Sequence, residues 1–178
     1  MDDRFRRERG FTLIEVLIAV FVLGFGLLSL ARVLARSSAG ELEAVQRAQA
    51  MTIAQDIVDR VNLNRKNAAA YVGDYVTYGP VEDCADAGLT TQVERDQCSL
   101  RNLLRGATTY EGAKTIGAPF AARACITSTA ANIYVIAIAW QGVVKTDAPD
   151  SDCGQGAFDD EKNRRVYSTV VQIATLGT

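Results

Sequence analysis

The order of apolar and polar positions divides the chain sharply. From Phe11 to Ala31, 21 residues carry a single charge, Glu15. At about 1.5 Å per helical residue this run reaches about 31 Å, the thickness of a bilayer's hydrocarbon core, and predicts one membrane-spanning helix. The helical signal does not stop there. No proline occurs before Pro80, and only Gly40 interrupts an alanine-, glutamine- and arginine-rich stretch that runs to about Ala70. One helix therefore continues across both stretches, bending or fraying near Gly40. In its second half Val45, Ala48, Met51 or Thr52, Ile53, Ala54, Ile57, Val58 and Val61 recur at three- and four-residue intervals. They form a stripe that can bury against a sheet, with Glu41, Glu43, Arg47, Gln55, Asp59 and Arg60 mostly on the other face.

Beyond Ala70 the pattern changes twice. Tyr71 to Thr90 is rich in Gly, Asp and Tyr, holds Pro80, and reads as a long loop whose Tyr71, Tyr75 and Tyr78 pack over the core rather than form a binding face. Thr91 followed by Glu94 makes a capping box. Val93, Leu100, Leu103 and Leu104 then predict a short second helix ending at Gly106. In the last third the period drops to two. Ala121 to Thr127, Asn132 to Trp140 and Arg165 to Thr175 are rich in Val, Ile, Tyr and Thr and predict three strands. Ile133, Val135, Ala137 and Ala139 face one side of the middle strand; Tyr134, Ile136, Ile138 and Trp140 face the other. Ser128 to Ala131 closes an antiparallel hairpin, and Gly142 to Asn163 links the second strand to the third. The fold class is α+β: a long N-terminal α-helix packed on a small antiparallel β-sheet head. The domains divide into a leader at 1–10, a transmembrane helix at 11–31, an amphipathic continuation at 32–70 and a globular head at 71–178.

Composition narrows the chemistry. A formal charge of -2 and a pI near 5.2 supply no overall basic surface for nucleic-acid phosphates. There is no histidine, which removes the commonest general base and transition-metal ligand. Neither Gly-x-Ser-x-Gly nor a phosphate-binding loop occurs, so neither an enzyme nor a cofactor is expected. Asp147, Asp150, Asp152, Asp159, Asp160 and Glu161 could offer oxygen ligands to calcium. They lack the EF-hand spacing and read as a solvated acidic loop, so no metal site is assigned. Cys84, Cys98, Cys125 and Cys153 all lie beyond the apolar run and read as two disulfides in an oxidising compartment. Buried thiols are the alternative; a zinc site would lack the usual paired Cys-x-x-Cys knuckles.

The leader, Met1 to Gly10, carries Arg4, Arg6, Arg7 and Arg9, while Arg32 and Arg36 follow the span. The positive-inside bias places the N-terminus in the cytoplasm and the cysteines outside. A secretory signal peptide would have a shorter apolar core and a small-residue cleavage site behind it. Here Ala31, Ala35 and Ala39 continue the helix. Glu15 remains unexplained by a plain anchor, since a carboxylate in a membrane segment costs about 2–4 kcal/mol and calls for a partner.

The run Gly10-Phe11-Thr12-Leu13-Ile14-Glu15-Val16-Leu17-Ile18-Ala19 resembles the prepilin signal of type IV pilins and type II secretion pseudopilins. The resemblance implies that a prepilin peptidase cuts after Gly10 on the cytoplasmic side, methylates the new N-terminus at Phe11 and leaves the apolar segment in place. Glu15 would then form an assembly salt bridge with a neighbouring subunit's terminal amine. The implied design is the type IV pilin fold, with an apolar half-helix for the filament core and an amphipathic half packed into the head. The first half lacks the proline that many major pilins carry, so their kink is not expected. Glu43 to Arg65, Ala139-Trp140-Gln141-Gly142 and Arg164-Arg165-Val166 resemble the PilV type of minor pilin. That implies a role in priming and modifying a type IV pilus. The partners would be other minor pilins, the major pilin, the prepilin peptidase and the inner-membrane assembly platform. The protein would sit in the inner membrane as a single-pass protein with a periplasmic head, and afterwards in the pilus at the cell surface. A type II secretion minor pseudopilin shares the same signal and is the alternative; a DNA-uptake subunit would need a basic face on the head. The four cysteines allow three pairings, and the sequence does not choose among them. The favoured scheme ties Cys84 to Cys98, loop to helix, and Cys125 to Cys153, much as pilins close a C-terminal disulfide loop.

Overall fold

The computed structural model describes residues 10–77, 80–85, 88–107, 110–111 and 114–174. The leader residues 1–9, Tyr78 and the end of the last expected strand at Thr175 lie outside the described residues. The chain divides into two compact units, 1–40 and 41–178. Helix α1 comprises Leu13–Leu63, 51 residues, and carries Glu15 in its first turn.

Helical structure is unbroken at Gly40, against the expectation of fraying there. A single glycine costs a helix only about 1 kcal/mol relative to alanine, and the residues around it, Ala39, Glu41 and Leu42, are good helix formers. The helix does stop short of Ala70. At Asn64 it gives way to a 3-10 segment, Arg65–Tyr71, in which Asn67 leaves helical geometry. The Asn67 backbone amide donates to the Asn64 carbonyl at 2.9 Å, the three-residue spacing of a 3-10 turn, and the Asn67 side-chain amide donates to the Asn64 side-chain oxygen at 2.9 Å.

The second unit is built on a four-stranded antiparallel sheet. Its strands are β1 (Gly73–Tyr75), β4 (Arg123–Ala130), β5 (Ile133–Gln141) and β6 (Arg164–Gln172), in the order β1-β4-β5-β6. A separate ribbon pairs β2 (Tyr110–Glu111) with β3 (Lys114–Thr115). The stretch expected to be loop throughout therefore contributes an edge strand, Gly73 to Tyr75, laid against Ala124 to Ile126. The β4–β5 hairpin is tighter than expected: β4 runs on to Ala130, and Asn132 turns the chain with a φ of 60°. Helix α2, Gln92–Leu104, starts in the expected capping box, with Thr91 and Glu94 exchanging side-chain and backbone bonds.

The helix-facing core joins Ala50, Ile53, Ala54, Ile57 and Val61 of α1 to Tyr134, Ile136, Ile138 and Trp140 of β5, the face assigned from alternation. Tyr71 and Tyr75 are buried in it. Behind the sheet, Ala137 and Ala139 pack with Cys125, Cys153, Phe158 and Val166. The α1 stripe buries as expected at Ile53, Ala54, Ile57 and Val61, with Val58 packed beside it, and differs only at its start. Gln46 and Ala50 lead it, whereas Val45 and Met51 are 54% and 41% exposed.

Two polar clasps tie the helices and loops to this core. In the first, buried Asp96 of α2 accepts from the Tyr71 hydroxyl, from Arg60 at 3.2 Å and from Gln92 at 2.8 Å. In the second, Glu43 is not the solvent-face residue the pattern suggested. Its carboxylate accepts from the Val143 and Val144 amides at 2.7 and 3.1 Å and from Arg165 at 3.4 Å. Gly142 makes room for it, since a Cβ there would lie 2.7 Å from Glu43 Oε1.

Removing either clasp has a measurable cost. Asp96→Ala leaves the buried Tyr71 hydroxyl and the half-buried Arg60 without this acceptor and should cost roughly 2–3 kcal/mol in urea unfolding of the chain in detergent micelles. Burial and the bond to Asp96 push the Tyr71 phenol up to about 12. A raised phenol supports folding fully below the unfolded value of about 10, and that support is lost as pH rises through the folded value. Between those limits the wild type should lose more stability than Tyr71→Phe, which starts lower at neutral pH. Gly142→Ala and Glu43→Ala should each cost about 1–2 kcal/mol, and the double variant little more than the larger single, because both dismantle one clasp.

Candidate functional site

The candidate processing and assembly segment opens α1. Gly10 is exposed, with open space where a Cβ would stand, and Phe11 is 82% exposed. The Thr12 carbonyl accepts from the Glu15 and Val16 amides at 3.1 and 3.3 Å, which sets the first turn. Phe11 precedes the helix, and it lines one open surface pocket with Glu15, Val16 and Ala19. An amide-rich helix start favours a carboxylate. Among the described residues no side chain donates to the Glu15 carboxylate. The segment thus presents an exposed Gly-Phe junction followed by one acidic group in the first helical turn.

From Val16 to Ala31 the helix carries no charge and exposes an apolar surface. Every large hydrophobic side chain from Leu13 to Leu34 is more than half exposed. The most apolar 18-residue window has a mean hydropathy of 2.6, and none of it is buried. So much contiguous apolar surface requires lipid or another subunit against it.

In the second unit the four cysteines form two disulfides, Cys84 with Cys98 and Cys125 with Cys153. The first joins the loop before α2 to the helix itself. Beside it Glu82 receives Arg101 at 2.7 Å and Arg105 at 3.2 Å, and these guanidiniums hold its carboxyl below the usual range. The second fastens the Gly142 to Asn163 connection to β4. Into that connection buried Arg164, the first residue of β6, donates to the Glu161 carboxylate and to the carbonyls of Ser151, Cys153 and Pro149. Asp160 pairs with Lys145 at 2.8 Å, and that bond with the Lys162 amide lowers its pKa. Glu161 is lowered by the Gly156 amide and Arg164. Two members of the acidic cluster therefore brace the loop, and no grouping of three metal-ligating side chains occurs among the described residues.

The sequence reading missed Glu43, Asp96 and Arg164 as organising residues. The two short motifs near the C-terminus did point to part of this: Trp140 and Gly142 sit at the core and the Glu43 clasp, and Arg164 and Arg165 order the adjoining loop.

Residues 5–31 match the family model described as the prokaryotic N-terminal methylation motif. No curated protein and no solved structure matches the chain. The matched motif, heading an exposed apolar helix in a chain whose α1 packs on a small antiparallel sheet, supports a membrane-anchored, type IV pilin-like protein.

Proposed function

We propose that the chain is a minor pilin of a type IV pilus, of the PilV type, which helps prime assembly and modifies the finished pilus. The observation that carries this reading is Gly10-Phe11-Thr12-Leu13-Ile14-Glu15 at the head of the exposed apolar helix. The prepilin peptidase cuts between Gly10 and Phe11 on the cytoplasmic face and methylates the Phe11 amine. The retained helix holds the subunit in the inner membrane with its disulfide-bonded head in the periplasm. Extraction by the assembly platform then exchanges lipid for the helices of the major pilin and other minor pilins. The chain acts as a structural subunit in this scheme.

Glu15 supplies the register. A carboxylate carried into an apolar filament interior is unfavourable alone, and the cationic amine of a neighbour's processed terminus neutralises it. Because both groups lie within one turn of the helix start, pairing fixes the axial offset between subunits.

The same motif serves type II secretion pseudopilins, and the two uses separate by phenotype. A deletion strain should lose or reduce surface pili while exporting exoproteins normally; normal piliation with failed export overturns the pilus reading in favour of a pseudopilus. Glu15→Ala at native expression should reach the membrane at wild-type levels and lower incorporation into sheared pili by about tenfold, the loss of roughly 1.4 kcal/mol of pairing. Unchanged incorporation overturns the register role.

A further inference from the structure

Strand β6 closes one side of the sheet, with β5 as its single strand neighbour among the described residues. Its nine residues pair with β5 without a register shift, whereas the β4–β5 ladder is irregular between Ser128 and Ala130. Two bonds just beyond its ends fix which way its backbone groups point. The Gly142 amide donates to the Asn163 carbonyl at 2.7 Å, and the Ile173 amide donates to the Asn132 carbonyl at 2.8 Å. In an antiparallel ladder bonding alternates, so the odd-numbered residues of β6 face β5. The amides and carbonyls of Val166, Ser168, Val170 and Gln172 point away from the sheet.

This edge lacks the usual protections. Natural sheet edges are kept from pairing by brevity, bulges, prolines or lysines. At the opposite edge β1 is only three residues long. From Val166 to Gln172 there is no proline, charge or bulge. The strand's charges, Arg164 and Arg165, lie at its first two positions and are taken up by Glu161 and Glu43. Ser168, Val170 and Gln172 are exposed, and Val170, at 65%, stands directly beside Val135 on the outer face.

We infer that the outer edge of β6 is a docking site for an extended segment of a different subunit of the same filament, which adds to the sheet as a fifth strand. This rests on the filament reading above. Four outward amide–carbonyl sets at strand spacing are complemented by another extended backbone, and the incoming strand lays an apolar side chain beside Val170 and Val135. A second copy pairing β6 with β6 antiparallel would make a closed twofold contact. A closed contact does not propagate along a filament, and the neighbours proposed above for a minor pilin are the major pilin and other minor pilins, so the occupant is a different chain.

Proline separates the outward groups from the inward ones. At Ser168 or Val170 it removes an amide that faces away from the sheet, which an edge strand tolerates; at Thr169 it removes a bond to β5. Full-length Ser168→Pro and Val170→Pro should therefore keep wild-type membrane levels and both disulfides, while Thr169→Pro should not. Incorporation of the two edge variants into sheared filaments should fall about tenfold, the equivalent of one to two net backbone hydrogen bonds. A photo-crosslinking residue at Ser168 of the full chain, in cells, keeps the backbone donor and decides the matter even where a proline variant misfolds. Its adduct should map to an extended segment of another filament subunit. An adduct to a second copy, or none to a filament subunit, overturns the assignment. Wild type and folded edge variants recovered equally in filaments overturn it too, with the filament reading intact. Wild type absent from all filaments overturns both.

Discussion

The contact on which the head depends is one stripe of α1 laid along one face of β5. Ala50, Ile53, Ala54, Ile57 and Val61 meet Tyr134, Ile136, Ile138 and Trp140, and most of these side chains are almost wholly buried. Burying an aliphatic or aromatic side chain of this kind contributes about 1.5–3 kcal/mol, so this face is the main apolar term. The clasps then act on what the contact leaves open. Asp96 holds α2 and the 3-10 segment to the end of α1, and Glu43 holds the turn after β5 to its nearer part. The disulfides restrain the two long connections, where little apolar area is available.

How far this was legible from the sequence follows the range of the interactions. The apolar run, the capping box and the alternation in β5 are written in neighbouring residues, and each was read with its sense correct. The prepilin-like segment was legible for the same reason: Gly10, Phe11 and Glu15 lie within half a dozen positions. Strand β1 was not, because Gly73 and Asp74 are poor strand formers and the pairing comes from β4, about fifty residues on. Glu43 was placed on the solvent face because helical periodicity cannot see the Val143 amide, 100 residues distant. The buried stripe is legible at Ile53, Ala54, Ile57 and Val61 but not at its start: Val45 is more apolar than Gln46, yet which of them meets the head is decided by the tertiary partner.

Solvent accounts for the contrast between the two stretches of α1. Residues 41–63 stay helical in water through tertiary packing, and their composition matches that task. The earlier stretch is rich in β-branched Val16, Ile18, Val20 and Val22 and includes Gly24 and Gly26, all poorer helix formers in water than alanine or leucine. No described side chain packs on it strongly enough to bury it. In hydrocarbon that ranking loses its force, because an unpaired peptide group costs several kcal/mol and the helix is the one conformation of a single segment that satisfies them all. The side chains that weaken the helix in water make it soluble in lipid. A chain with this order of residues therefore carries two folding rules in one continuous element, and the change from one to the other falls near Gly40, where the compact units divide.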